Sequence, residues 1–450
     1  MGLTGNASAA AARRTVAVRA AVGQGIVGEH APVAALLDVH GIRAAAAALH
    51  SAFDEAGGGR CRVLHTFAVK ACALVPVVRL LADEGLGCEV ASPGELALAR
   101  AAGVPPARTV LDSPAKTPDE LREALALGIA VNADSREELS RLDALVAAAP
   151  TASALGVRVN PQVGGGSIGA TSTATAGSKF GVPLRDAGAR EWLLRAYAQR
   201  PWLTAVHTHV GSQGCPLGLL AEGVRAVYEL AEEINRAAGR QQVRTVDIGG
   251  GLPVDFSSDE AGPDFGAYAR LLAATAPGLF DGRYQLVTEF GRSLVAKSGT
   301  VLARVEATKS AGGRRIAVTH AGAQVATRTV YAPEAWPLRV AALDALGRPK
   351  AGDAVPQDVA GPCCFAGDLL AAGCALPLLE AGDHVALLDT GAYYFSAHYA
   401  YNSLVRPGVY GYAVGGGAEV AFATVREPQS LDGVVAESGG AYVAGLRGLG

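Results

Sequence analysis

His65-Thr66-Phe67-Ala68-Val69-Lys70-Ala71 closes a β-branched, apolar run with a lysine. The run reads as a strand over residues 63–69, with the lysine at its C-terminal end. In an α/β barrel that end of every strand faces the active site. A lysine partly desolvated there has a lowered pKa, and its amine can form a Schiff base with a carbonyl carbon. A strand-end lysine reaching solvent is the competing reading, and the rest of the chain decides between the two.

The same short apolar pattern recurs at residues 87–91, 109–112, 130–132, 155–160, 203–209, 243–248 and 285–289. Between these runs lie stretches of helical periodicity at 118–127, 136–148 and 217–237, the first opened by Thr117 as N-cap and Pro118 as first helical residue. Eight strands alternating with helices predict a TIM-type (β/α)8 barrel. After Gly291 the pattern turns strand-rich, at 302–307, 315–319, 383–388 and 418–425, which predicts a mainly β C-terminal domain. Residues 1 to about 15, rich in Ala, Gly, Ser and Thr, read as a mobile tail, and 15–22 as a strand added to the β domain. The expected division is a barrel over 32–295 and a β domain from 1–31 and 296–450. The Gly-, Ser- and Thr-rich segment 161–183 reads as a mobile loop near the barrel mouth.

The 450 residues are 50% hydrophobic and 18% charged, with a formal net charge of -3. That balance offers no basic stripe for nucleic acid and no polybasic flank for a membrane, and no run of eighteen apolar residues occurs. A small-molecule enzyme of the cytoplasm is expected. The seven cysteines, odd in number and without metal-type spacing, predict neither a disulfide framework nor a structural zinc.

Other strand ends carry chemistry too. His207-Thr208-His209-Val210-Gly211-Ser212-Gln213 offers a flat imidazole, a hydroxyl and a glycine; period two puts both histidines on one side, with His209 nearer the mouth. No carboxylate or thiol of suitable spacing joins the pair, so no metal site is expected. Asp247-Ile248-Gly249-Gly250-Gly251 places three glycine amides where such barrels bind phosphate. Thr288-Glu289-Phe290-Gly291-Arg292 ends the eighth run with an acid, and a carboxylate there can keep a pyridine nitrogen protonated. A surface ion pair between Glu289 and Arg292 is the bland alternative.

With these stretches, CEVASPGEL from Cys88, GPCCFAGD from Gly361 and DTGAYYFS from Asp389 complete a series that resembles the fold type III pyridoxal-phosphate decarboxylases. Arg158-Val159-Asn160-Pro161, Ser178-Lys179-Phe180-Gly181 and Tyr401-Asn402-Ser403 make the chain similar to the diaminopimelate decarboxylase branch. The resemblance implies that Lys70 holds pyridoxal phosphate, that His209 stacks on its ring and that Glu289 pairs with the ring nitrogen. It implies Ser212, Gly249, Gly250, Gly251, Gly291, Arg292 and Tyr393 around the phosphate, with Glu89, Glu95 and Arg158 in support. It further implies that Cys364, from a neighbouring subunit, protonates the product, so the chain is expected to form at least a homodimer with shared active sites. Cys363 reads as a buried apolar residue.

The substrate positions depart from the family. Phe365 stands where relatives carry an acid that reads the distal end of the substrate, and a buried phenyl group cannot pair with a distal ammonium. The arginine and tyrosine of Thr327-Arg328-Thr329-Val330-Tyr331 are spaced one residue short, Phe290 replaces a proline, and Cys72 an asparagine. Arg328, Tyr331, Phe365 and Asp368 are the expected substrate contacts. The expected function is decarboxylation of an α-amino acid with altered side-chain specificity. A pyridoxal-phosphate racemase and a cofactor-binding protein without turnover are the alternatives; racemases favour an arginine over Glu289 at the ring nitrogen.

Overall fold

The structure, a computed structural model, describes residues 3–260 and 264–449. Residues 42–255 and 261–295 form one compact unit; residues 1–41, 256–260 and 296–450 form a second.

In the first unit eight parallel strands alternate with helices: β1 (Arg62–Ala68), β2 (Gly87–Val90), β3 (Thr109–Leu111), β4 (Ala130–Ala133), β5 (Leu155–Asn160), β6 (Leu203–His207), β7 (Thr245–Asp247) and β8 (Gln285–Phe290). Neighbours in sequence pair throughout, and β8 pairs with β1 through Thr288↔His65 and Glu289↔Thr66, so the sheet closes into the (β/α)8 barrel. The expected helix 118–127 is present as Pro118–Leu127. A capping box joins Thr117 and Glu120 at its start, and Gly128 ends it at φ +76°. Alternation along β8 sends Phe290 outward against Phe53, Phe265 and Tyr268, which leaves Glu289 facing inward. Burying that phenyl ring contributes about 2–3 kcal/mol.

The opening stretch differs from expectation at its end. β1 stops at Ala68, and Val69–Ala71 form a single 3-10 turn that carries Lys70. The segment 161–183 is tied down rather than loose: Gly164 N donates to Ala174 O (3.0 Å), Thr173 N to Val210 O (3.1 Å), and Val182–Pro183 pairs with β5.

The second unit is built on a sheet in the order Leu369–Pro377, Ala354–Ala360, Arg314–Thr319, Gly299–Ala311, Val33–Asp38, Gly408–Val414, Val420–Arg426. His384–Leu388 also pairs with Gly299–Ala311 and with Val340–Leu343. The strand Val33–Asp38, expected within the barrel segment, therefore lies inside this sheet, flanked by Gly299–Ala311 and Gly408–Val414.

The N-terminal expectations are corrected. Leu3–Gly23 is one α-helix, neither a tail nor a strand, and residues 1 and 2 lie outside the described residues. The β-branched Thr15, Val16 and Val18 suggest a strand, but they sit among alanines, the strongest helix formers. Ala17, Val18 and Ala21 share one helical face and pack with Leu36, Leu302 and Tyr412.

Thr117→Ala, which removes the cap on Pro118–Leu127, is expected to lower stability by about 1 kcal/mol in a denaturant titration; an unchanged midpoint would discount the cap. His65 is buried, and burial, then the charge of His50, lowers its pKa from 6.5 to about 3. The folded value lies below the unfolded one, so this stability is present above pH 6.5 and is lost as pH falls towards 3, by about 1.4 kcal/mol per unit. His65→Gln should flatten that part of the pH dependence of the denaturation midpoint; a slope equal to the parent's would refute the assignment.

Candidate active site

Lys70, Glu89, Arg158, His209, Ser212, Gly249, Gly250, Gly251, Glu289, Gly291 and Arg292 all belong to the barrel unit, on or just after the C-terminal ends of its strands. Lys70 is half-exposed and ion-paired with the buried Glu89 carboxylate. Its amine is thus held by an opposite charge, rather than desolvated as the sequence suggests. Burial pushes the Glu89 carboxyl up, and the Lys70 ammonium opposes that shift. Glu95 works differently: its Oε2 accepts from Ala91 N (2.7 Å) and its own N donates to Ser92 Oγ (3.2 Å), which caps Pro93–Ala101.

His209 follows β6, and its Nδ1 accepts a hydrogen bond from Gly250 N (3.2 Å). Accepting at Nδ1 requires the neutral ring with its proton on Nε2. Burial, with Arg158 and Lys70 nearby, lowers the His209 pKa well below 6.5, in agreement. The 3.8 Å from Nδ1 to Glu289 Oε2 is therefore not an ion pair.

The glycines hold chain against chain. A Cβ on Gly250 would lie 2.0 Å from Glu289 O, and one on Gly251, at φ +102°, 1.9 Å from Gly211 O. Three successive small residues thus bring backbone amides to the mouth between β6 and β8. Gly291 packs against the turn that carries Lys70, where an added Cβ would meet Ala71 Cβ at 2.9 Å. Arg158 lies 3.7 Å from Asp134 and 4.3 Å from the Phe180 ring centre, while Gly181 N donates to Asp134 Oδ2 (3.1 Å). This places the Ser178-Lys179-Phe180-Gly181 motif beside Arg158.

Sequence spacing missed a buried cluster at the same end. Asp112 after β3, His207 ending β6, Asp247 ending β7 and Glu289 on β8 offer ligand atoms within 4.8 Å of one another. Sequence spacing gives no sign of this group, because the acids reach His207 from three other strands. His207 Nδ1 lies 3.4 Å from Asp112 Oδ1 and its Nε2 3.7 Å from Glu289 Oε2. Two nitrogens facing separate carboxylates suit a bridge better than a single ligating nitrogen. Burial, then the charges of Asp112 and Glu89, push the Glu289 carboxyl well above its ordinary range. Burial would also raise Asp112, but facing His207, Glu289, Arg158 and Lys116 hold it low. The sequence signal was that all four residues stand at or near the ends of predicted strands.

Among the described residues no N–H or hydroxyl donates to the buried Glu289 Oε1. A carboxylate on β8, a lysine at the mouth, a flat neutral imidazole and a rim of glycine amides fit pyridoxal phosphate: ring nitrogen, aldehyde, ring face and phosphate each have a matching group.

The remaining expected residues lie in the second unit. Cys364 is exposed and its N donates to Asn402 Oδ1 (2.7 Å); Cys363 is buried. Burial, then Asp368, raises the Cys363 thiol to about 11. Asp368 is committed to backbone amides, of Ala323 at Oδ1 and of Cys363 at Oδ2 (both 2.7 Å), so it shapes the loop rather than facing a ligand. Arg328 sits over the rings of Tyr393 (4.2 Å) and Trp336 (5.0 Å). It shares Ala323–Tyr331 with Tyr331, three residues on, so both lie on one helical face despite the short spacing. Phe365 is half-buried rather than buried, and it stacks on Tyr331 at 5.7 Å and 11°. Tyr401 meets Phe365 edge-on at 5.2 Å, and Tyr399 joins Tyr401 to Tyr331.

Residues 40–296 match the family described as "Pyridoxal-dependent decarboxylase, pyridoxal binding domain". The chain is 31% identical over 388 residues to diaminopimelate decarboxylase of Zymomonas mobilis, covering 85% of this chain and 86% of that one. It is 34% identical over 383 residues to that of Actinosynnema pretiosum, covering 84% and 83%. The solved structure of Helicobacter pylori diaminopimelate decarboxylase complexed with L-lysine superposes with a TM-score of 0.79 at 25% identity, covering 91% of this chain and 97% of that one. By sequence, by fold and by the groups gathered at the barrel mouth, the chain belongs to the pyridoxal-phosphate-dependent amino-acid decarboxylases, in the family of diaminopimelate decarboxylase.

Proposed function

We propose that this carboxy-lyase acts on an α-amino acid whose distal end lacks the ammonium of diaminopimelate, and that it does so as a homodimer. The observation that carries the reading is Phe365, packed among Tyr331, Tyr399 and Tyr401 where the family's pattern has an acid. A distal ammonium buried against these rings would keep only a cation–π attraction in place of a charged partner. An apolar or aromatic distal group would lose nothing by the exchange.

In this reading Lys70 is the covalent anchor, and its pairing with Glu89 holds the amine at the mouth until the aldehyde arrives. His209 offers a neutral, flat face, and Glu289 faces the ring nitrogen. The amides of Gly249 to Gly251, with Ser212, Gly291, Arg292 and Tyr393, take the phosphate, and Arg158 supports the ring. When bound, pyridoxal phosphate takes up the electron pair left as the substrate carboxylate departs as carbon dioxide. Cys364 of the partner subunit then delivers a proton to the α-carbon. Its exposure, against the buried neighbour Cys363, supports this choice of thiol. Arg328, stacked on Tyr393, is suited to a substrate carboxylate.

Carbon dioxide release from a panel of apolar, aromatic, acidic and basic amino acids tests the specificity. Apolar or aromatic members should exceed meso-diaminopimelate, and Phe365→Glu should raise turnover of meso-diaminopimelate about tenfold; rapid release from meso-diaminopimelate alone would overturn the altered specificity. Cys364→Ala should keep the colour of the bound cofactor and lose about a hundredfold or more in product formation. Full activity in that variant would remove the thiol from the reaction, and racemisation without carbon dioxide would favour a racemase.

A further inference from the structure

The reaction as proposed leaves one buried group without a task. His207 is fully buried two residues before His209, and neither of its ring nitrogens has a hydrogen-bond partner at ordinary distance among the described residues. A buried imidazole with both nitrogens unsatisfied is costly, so the position calls for a reason. We propose that His207 is a positioning residue: held between Asp112 and Glu289, its ring orients the Glu289 carboxylate towards the cofactor's ring nitrogen and offsets its negative charge. The inference rests on the reading that Glu289 faces that nitrogen.

Geometry singles out His207 for the task. Nδ1 looks at Asp112 Oδ1 from 3.4 Å and Nε2 at Glu289 Oε2 from 3.7 Å, so one ring spans the two carboxylates. Asp247 completes the ring's acidic surroundings, with its Oδ1 accepting from Gly249 N (3.0 Å). Asn132 Nδ2 reaches the far oxygen of Asp112 (3.2 Å) and fixes that end of the bridge. His209 cannot substitute, because its Nδ1 already accepts from Gly250 and has no proton to give Glu289. The nearby cations are engaged elsewhere: Lys70 with Glu89, Arg158 with Asp134 and Phe180, and Lys116 with Glu138 at 3.0 Å. His207 is thus the basic side chain of a cluster that otherwise holds three acids.

The need for such a group follows from electrostatics. Burial together with Asp112 and Glu89 favours the protonated Glu289 carboxyl, and in that form it donates where it should accept. A donor beside Oε2 counters this and keeps the carboxylate ionised. Closing 3.7 Å to an ordinary hydrogen bond needs a shift of under about 1 Å, within reach of a χ adjustment when the site fills.

The test is a double-mutant cycle on the holoenzyme with His207→Gln and Glu289→Gln, read by the dissociation constant for pyridoxal phosphate and by the pH dependence of the bound cofactor's absorbance. His207→Gln should weaken cofactor binding about tenfold and move the absorbance midpoint by about one pH unit, and both changes should vanish in the Glu289→Gln background. Effects that add, or an unchanged spectrum in His207→Gln alone, would refute a role exerted through Glu289. If Glu289→Gln itself leaves the spectrum unchanged, the placement of Glu289 at the ring nitrogen fails first, and the inference with it. Should His207→Gln not fold, His207→Asn removes the same ring and should shift the midpoint in the same way. Should neither variant fold, a crystal structure of the parent holoenzyme decides: Nε2 to Glu289 Oε2 near 3.0 Å supports the bridge, and 3.7 Å or more rejects it.

Discussion

Among the carboxylates buried at one end of the barrel are Glu89, Asp112, Asp247 and Glu289, and the difficulty of keeping that charge out of water governs what surrounds them. Each has a different answer. Glu89 takes the Lys70 ammonium, Asp112 takes Asn132 and faces His207, and Asp247 caps the amide of Gly249. Glu289 is left with a buried oxygen that the described residues do not satisfy. Asp112 Oδ1 shares that condition, so the unmet demand falls on the two acids that His207 lies between. The glycines serve the same end, since side chains at Gly250 and Gly251 would push apart the strand ends that deliver these acids.

The second unit works in another currency. Phe365, Tyr331, Tyr399 and Tyr401 touch ring to ring, Arg328 lies between Trp336 and Tyr393, and Asp368 is turned to backbone amides. Recognition built from such groups favours shape and apolar contact over charge pairing.

Much of this was legible along the chain because each barrel strand is a short local run with its functional residue at one end. The ends at Lys70, His209, Glu289 and the glycine triplet could be found without knowing which strands are neighbours. The bridge through His207 could not, because Asp112 and Glu289 reach it from β3 and β8, and linear spacing carries no trace of that meeting. Asp368 was misread for a related reason: a motif position says which residue is present, whereas its two amide partners show that its oxygens are already engaged. The N-terminal helix was misread because β-branched alternation over a few residues outweighed a longer alanine background. The segment 161–183 has the composition of a loose loop, yet its hydrogen bonds to β5 and to the chain after β6 hold it in place.

The strand Val33–Asp38 lies between Gly299–Ala311 and Gly408–Val414 in its sheet. During synthesis it leaves the ribosome before the whole barrel, and its second partner leaves after it. At about 5–20 residues per second it waits on the order of tens of seconds with its edges unpaired. The barrel can form from contiguous chain in that interval, whereas the sheet cannot close until Gly408–Val414 has been made. A truncation before Gly408 would therefore strike a strand made far earlier in synthesis, because Val33–Asp38 would lose a neighbour on one edge.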